Sequence, residues 1–357
     1  MPTSESLTEA SLLTNLLTPK TKTRLGTWNI RTLYESSRSA QVAKEMRRYK
    51  LKVLGLSETR WNGSGQTRLV SGETVIYSGH EDEDHEHTQG VAIMMSREAT
   101  DALIAWEPVS PRLIAARFNA KGRKTTLIQC YAPTNAATDE EKEDFYSALQ
   151  AQIDKSPKRD IKIVMGDMNA KVGTENKERG LTVGKNGIGI INENGELFAD
   201  FCAFNNLIIG GTIFAHKDIH KTTWTSPDGK TKNQIDHITV SRKWRRSLMD
   251  VRAKRGADAA SDHQLVVAIL KLKLKSYRDR ADKPHFKFNT TYLRFPKIKE
   301  DFNCAVKKIV NRMVRKSAKE DKRQFIQEMI EEAETAARQG KMKRLYEINQ
   351  DTIRQEH

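Results

Sequence analysis

The run Ile161-Lys-Ile-Val-Met165 reads as a short buried strand, and Gly166 breaks it just before Asp167-Met168-Asn169. Residues two apart on an extended chain share a face, so Asp167 and Asn169 point the same way. A carboxylate and an amide at the end of a core strand are poor packing groups. They suit the holding of a water or a phosphate oxygen. A strand running into an ordinary Gly-Asp turn explains the same residues, so the reading depends on whether the rest of the chain supplies partners.

Comparable runs recur along the chain. Arg24–Ile30, Leu51–Ser57, Glu73–Ser78, Gly90–Ser96, Leu113–Phe118, Thr125–Tyr131, Leu207–Ile209, Thr222–Thr225, Gln234–Val240 and Gln264–Leu274 are predicted strands. Helical spacing appears in Ser39–Tyr49, with Ser39 as its expected cap, in Asp139–Ile153 with its acidic first turn, in Gly195–Phe204, and in the basic stretch Arg242–Met249. The Gly- and Asn-rich stretch 171–194 is expected to be a surface loop. Crossovers of unequal length with hairpins between them do not suit a regular doubly wound sheet. They predict an α/β chain of two packed mixed sheets with helices outside. Residues 1–23 are expected to be a flexible leader, 24–275 the globular domain, and 276–357 a basic extension with helices at 298–316 and 319–346.

Several strands end on polar residues: Asn29, Glu58, and the Asp167/Asn169 pair, with Asp236 inside Gln234–Val240 and Asp262-His263 just before Gln264. Strand ends in a sandwich converge on one edge, where side chains are rigid yet open to substrate. Metal-assisted phosphodiester hydrolysis needs such an inventory. A hard divalent ion is held by few oxygens, a carboxylate prepares the water, and a cation meets the charge on the phosphoryl oxygens. Glu58 with Asn29 suits the first task, Asp167 the second with Asn169 beside it, and His263 backed by Asp236 the third. Taken singly, Asn29, Glu58 and Asp262-His263 read equally well as turn or cap residues. Asp236 in a strand does not, because an unpaired buried carboxylate is costly.

In series, Trp28-Asn29, Ser57-Glu58-Thr59, Gly166-Asp167-Met168-Asn169, Ile235-Asp236-His237 and Ser261-Asp262-His263 resemble the endonuclease/exonuclease/phosphatase superfamily over roughly 24–274. Glu58-Thr59-Arg60-Trp61, Tyr131-Ala132-Pro133-Thr134 and Asp262-His263-Gln264-Leu265-Val266 look closest to the apurinic-like endonucleases of RTE-type non-LTR retrotransposons. The resemblance implies a four-layer α/β sandwich. It also implies that Asn29 and Glu58 contact Mg²⁺ (or Mn²⁺ in its place) with Asp262 near it. Tyr131 would then lie by the scissile phosphate, Asp167 would align the water, Asn169 would bind phosphate, and Asp236 would pair with His263. DNA is the implied partner. Arg60 and the hairpin Thr222–Lys232, through Thr223, Trp224, Lys230 and Lys232, are the expected contacts. Residues 333–346 resemble the helical linker that precedes reverse transcriptase in such elements, and no Tyr/Phe-x-Asp-Asp polymerase signature follows.

Composition constrains the alternatives. The net charge is +15, but residues 271–357 hold 23 Lys and Arg against 13 Asp and Glu, so most of the excess lies outside the globular domain. It therefore supports a polyanionic partner without placing a basic cleft. A non-catalytic nucleic-acid or chromatin-binding protein using those basic helices is the second reading, and a lipid phosphoesterase the third. Cys130, Cys202 and Cys304 lack metal-ligand spacing. His80, His85 and His87 lie in an acidic loop and read as solvated. No apolar run approaches the roughly 18 residues of a membrane span. A nuclear monomer without an organic cofactor is expected.

Overall fold

Two parallel strand pairs, each joined through a helix, set the architecture. The first is β1 (Thr23–Asn29), α1 (Ser36–Arg48) and β2 (Val53–Ser57), with Asn29 opposite Ser57. The computed structural model describes residues 14–82, 85–174, 180–274, 296–297, 299–300 and 302–303, and the chain divides into two compact units, 1–276 and 277–357. Next come β3 (Ser64–Arg68), β4 (Thr74–Ser78), β5 (Val91–Met95) and the short α2 (Arg97–Thr100). A meander of β6 (Leu103–Ser110), β7 (Leu113–Ala120) and β8 (Arg123–Tyr131) then leads through α3 (Asp139–Lys155) to β9 (Ile161–Asp167). β8 and β9 form the second parallel pair, with Tyr131 opposite Asp167. α4 (Glu193–Phe204), β10 (Leu207–Ile209), the hairpin β11 (Trp224–Thr225) and β12 (Lys232–Asn233), β13 (Asp236–Ser241), β14 (Leu248–Lys254) and β15 (Leu265–Leu270) follow, with short 3₁₀ turns between some of them.

Seven strands pair in the order β14-β15-β1-β2-β5-β4-β3 and six in the order β10-β13-β9-β8-β7-β6, both sheets mixed. Alternation of side chains splits each sheet into two faces. Leu25, Val53, Ile76 and Ile93 meet Phe118, Leu127, Ile163 and Met165 between the sheets. Leu54, Leu56 and Met94 pack under Val42, Ala43 and Met46 of α1. On the other side Ile128, Cys130 and Val164 pack under Phe145 and Leu149 of α3 and Phe198 and Cys202 of α4. Three apolar layers among four layers of structure make this the α/β sandwich that the sequence predicts.

Close approach between the sheets, and between neighbouring strands of one sheet, depends on two glycines. A Cβ on Gly55 would collide with the Gln129 side chain, and one on Gly166 (φ +150°) with the Cys130 carbonyl. Gln129 accepts from the Thr27 hydroxyl at 3.2 Å and donates to Ser57 Oγ at 3.0 Å, while Ser57 donates to the Cys130 carbonyl at 2.9 Å. Polar groups buried between two sheets are thereby satisfied.

Some expectations change. Helix α1 starts earlier, capped by Glu35 backbone without a side-chain bond, so Ser39 sits inside it and is not its cap. The helix expected at 242–249 is a 3₁₀ turn, Arg242–Ser247, running into β14. Stretch 171–194 is partly pinned: Val172 and Val183 are buried, and Ile209 N–H donates to the Thr182 carbonyl at 3.0 Å. Apart from the few helical positions at 296–303, the two C-terminal helices lie outside the described residues.

The expected leader is, from residue 14, a strap. Leu16 and Leu17 are buried, Leu16 N–H donates to the Asn119 carbonyl at 2.8 Å, and Lys121 N–H to the Leu17 carbonyl at 2.9 Å. Leu17→Ala should therefore cost about 2–5 kcal/mol in denaturant unfolding, as buried Leu→Ala changes do. A loose leader would tolerate the change without loss.

Candidate active site

The C-terminal ends of β1, β2, β8 and β9 meet at one rim, and β13 and the segment before β15 close it. Asn29 ends β1, fully buried, and its amide nitrogen donates to Glu58 Oε1 at 2.6 Å and to Asp167 Oδ2 at 2.9 Å. Its oxygen accepts the Arg31 N–H at 3.0 Å. In this arrangement Asn29, expected as a metal contact, holds two carboxylates in place and turns its oxygen away from them. Glu58 leaves β2 in a left-handed conformation (φ +56°) that aims its side chain back over the strand ends.

Asp167 and Asp236 lie directly opposite one another on antiparallel β9 and β13. Asp167 Oδ1 accepts the backbone N–H of Asn169 at 3.0 Å. The Asn169 side chain donates to the Ala132 carbonyl at 3.0 Å, from a left-handed backbone (φ +47°). Asp236 Oδ2 is 2.9 Å from His263 Nδ1, and His263 Nε2 is 3.9 Å from Asp167 Oδ2. Burial opposes charge on His263, but Asp236, followed by Asp167 and Asp262, carries its pKa to about 10. The imidazole is therefore a cation at neutral pH. Burial and then the Asp236 charge push the Asp167 carboxyl up, against the pull of His263 and Asn29. Burial, then Glu58 and Asp167, keep the Tyr131 phenol protonated well above its ordinary range. Arg112 lies over the Tyr131 ring, 5.2 Å from its centroid.

A cleft of about 340 Å³ opens here, lined among others by Glu58, Tyr131, Asp167, Asn169, Trp224 and His263. Positioning residues that sequence reasoning missed surround it. Ser261 Oγ donates to the Asn29 carbonyl at 2.7 Å and accepts the His263 N–H at 3.1 Å. Trp28 donates its indole N–H to the His263 carbonyl at 3.0 Å. His237 bonds the Ala170 carbonyl at 2.7 Å and, lowered by burial, stays neutral. Only the position of Ser261 and Trp28 beside motif residues hinted at these roles.

The structure moves three expectations. Thr223 is buried and its hydroxyl accepts the N–H groups of Ile235 and Asp236 at 3.0 and 3.1 Å. It is turned inward and supports the strand that carries Asp236. Asp262 accepts the Trp224 indole N–H at 3.0 Å and stands 3.9 Å from Arg31 Nε. It faces these two groups and is absent from the acidic cluster. Arg60 lines a different cavity. Lys230 and Lys232 are exposed on the expected hairpin.

Among the described residues, Asp167, Asp236 and His263 form the one group of His, Cys, Asp and Glu whose ligand atoms lie within 4.8 Å of each other. Among its described residues the histidine-bearing loop holds no such group. His263 Nδ1 is engaged by Asp236, which suits a catalytic pair more than two ligands. Asp236 Oδ1 is buried with no hydrogen-bond partner among the described residues, and Glu58 lines the cleft beside Asp167. The carboxylates of Glu58 and Asp167, brought together by the Asn29 amide, offer oxygen ligands that fit a hard divalent cation.

A model of the Endonuclease/Exonuclease/phosphatase family matches residues 26–263. Craniofacial development protein 2 of Bos taurus is 38% identical over 251 residues, covering 70% of this chain and 41% of the bovine protein. The protein of that name in Tragulus javanicus is also 38% identical over 251 residues, 42% of its length. The chain thus spans about two fifths of the curated relatives it matches. Among solved structures, the endonuclease domain of TRAS1, a telomere-specific non-LTR retrotransposon, aligns with a TM-score of 0.50 at 15% identity, covering 71% of this chain and 100% of that domain. An AP endonuclease from Archaeoglobus fulgidus gives 0.53 at 17%, covering 70% and 100%. The 3′ phosphatase NExo from Neisseria, bound to product DNA hairpin, gives 0.52 at 20%, covering 71% and 100%. At these identities the structural likeness speaks for the fold.

Replacing Asp236 by Asn should lower the His263 pKa from about 10 towards the ordinary histidine value of about 6.5. Imidazole proton shifts followed across pH in the presence of EDTA read this directly. An unmoved titration would mean that Asp236 does not hold the charge.

Proposed function

This chain belongs to the endonuclease/exonuclease/phosphatase family, and from that premise we propose that it is a divalent-metal-dependent DNA endonuclease that nicks one strand. Its reaction is hydrolysis of a phosphodiester in the manner of retrotransposon nicking enzymes, with a 3′-hydroxyl product. The observation that carries the reading is the joint placement at one rim of Asn29, Glu58 and Asp167, from the ends of two parallel strand pairs, with Asp236 of β13 and His263 from the segment before β15.

Each residue has work to do there. Asp167, fixed by Asn29 and by the Asn169 N–H, orients the attacking water and takes its proton. His263, kept cationic by Asp236, offers Nε2 to a phosphoryl oxygen as negative charge develops on it. Tyr131, neutral and at the cleft wall, donates to Glu58 or to the phosphate. Asn169, already turned towards the cleft, is the phosphate-binding amide. Glu58 and Asp167 would hold the Mg²⁺ or Mn²⁺, which when bound supplies Lewis-acid neutralisation of phosphate and leaving-group charge. Water attacks phosphorus opposite the 3′ oxygen, and the P–O3′ bond breaks to leave a 3′-hydroxyl and a 5′-phosphate. Lys230 and Lys232 on the exposed hairpin beside the cleft suit phosphate contact with the duplex. No described helix is long and apolar enough to cross a membrane. A nuclear monomer acting on DNA is the setting we propose.

Supercoiled plasmid tests the reading. Wild-type protein with Mg²⁺ should convert it to the open-circular form, and EDTA should stop the conversion. Asp167→Asn and His263→Ala should each lower the rate by about 10²–10⁴-fold, the usual scale for losing a proton-transfer group, with circular dichroism unchanged. Nicking by both variants at the wild-type rate would overturn the assignment. Glu58→Gln should raise the Mg²⁺ concentration needed for half-maximal rate, measured in the same assay.

A further inference from the structure

Two residues beyond Glu58 the chain enters a second cavity, of about 450 Å³, whose walls are unlike those of the catalytic cleft. Its floor is aromatic. Trp61 meets Tyr77 edge-on, with ring centroids 5.1 Å apart and planes at 84°, and both rings pack on the core beneath α1. The Trp61 indole N–H donates to the Leu33 carbonyl at 3.1 Å, which fixes the ring. Its rim is also aromatic but exposed. Tyr34 is 67% exposed and rests against His87, with centroids 4.9 Å apart, and His87 Nδ1 bonds the Arg60 carbonyl at 2.9 Å. Arg60 supplies the cation, and its Nε is buried with no hydrogen-bond partner among the described residues.

Two further points argue that this is a built site. Glu58 and Arg60 are both left-handed, at φ +56° and +59°, although neither is glycine. Backbone strain of this kind concentrates where a side chain must be aimed. The same turn serves both cavities, with Glu58 lining one and Arg60 the other, so the Cα atoms that carry these two lining side chains lie within about 8 Å. That is the reach of one or two nucleotides.

Aromatic walls set at right angles, an exposed tyrosine at the mouth and, beside it, a guanidinium whose Nε has no partner among the described residues match a flat, apolar heterocycle that carries a neighbouring phosphate. We propose that this cavity is a stacking pocket for an unpaired nucleobase of the DNA, next to the phosphate that is cleaved. Tyr34 and Trp61 contact the base and Arg60 its phosphate. The inference rests on the endonuclease reading and gives it a substrate class: DNA with a base outside the duplex stack near the nick. A paired base enters at a disadvantage, because leaving the stack costs a few kcal/mol that an unpaired base does not pay in full.

The test uses the full chain carrying Asp167→Asn, so that bound DNA stays intact, and two duplexes that differ in one feature. In one a 2-aminopurine is bulged, and in the other it is paired. The bulged base should lose fluorescence on binding, and the paired one should not. Adding Tyr34→Ala should weaken binding of the bulged duplex by about 5- to 100-fold, the range that base stacking on an aromatic commands. Binding of the paired duplex should stay within twofold, and Tyr34→Phe should restore the bulged duplex. Arg60→Ala should also weaken the bulged duplex more than the paired one. Equal binding of both duplexes, or equal losses on both, by a protein whose wild-type form nicks plasmid overturns the pocket alone. A wild-type protein that neither nicks nor binds any DNA overturns the endonuclease reading, and the pocket with it.

Discussion

Two carboxylates facing each other across an antiparallel strand pair are a liability in any sheet, more so when both are buried. Asp167 and Asp236 are in that position, and most of the rim is arranged around it. His263 is anchored against Asp236 and reaches towards Asp167, while Asn29 spends its amide on Asp167 and Glu58. Ser261 ties the backbone of Asn29 to that of His263, and Thr223 fixes the strand start that carries Asp236. Removing any one member leaves buried charge or buried donors without partners, so the group behaves as a unit. Asp236 shapes the proton affinity of both neighbours, raising that of His263 and of Asp167.

The rest of the sandwich keeps this group stiff. Each sheet contributes a parallel pair whose C-terminal ends face the cleft, and the two pairs are clamped by the Thr27–Gln129–Ser57 bonds just beneath it. Gly55 and Gly166 let the sheets and strands come that close. The catalytic side chains therefore project from strand ends set by backbone pairing, which is a firmer mount than a loop. The turn at Glu58–Arg60 is the exception, and its strained backbone shows where the structure departs from regular geometry to place particular side chains.

The central strands were legible because they are buried on both faces and read as continuous apolar runs. The polar residues that end them were legible for the same reason: Asn29, Asp167 and Asp236 stand out against apolar neighbours. The strands that escaped are β3, β6 and β14, and all three lie on sheet edges. Ser64–Arg68 is largely exposed, so its sequence carries no apolar signal, and its strand state comes from pairing with β4. The inward role of Thr223 is not legible, because a place in a hairpin does not reveal to which side a hydroxyl turns. The strap at Leu16–Leu17 was hidden by the polar residues around it. The aromatic cavity was invisible too, since Tyr34, Trp61 and His87 are far apart in sequence and only the fold gathers them.

One contact at the foot of the sandwich has a consequence for how such a domain travels. The Leu272 N–H donates to the Thr18 carbonyl at 3.2 Å, beside the starts of β1, β8 and β9 and at the opposite pole from the cleft. The polypeptide thus comes in and goes out through neighbouring points. Joining those points would need only a short linker, so the domain is suited to circular permutation and to insertion into a longer chain as a closed loop.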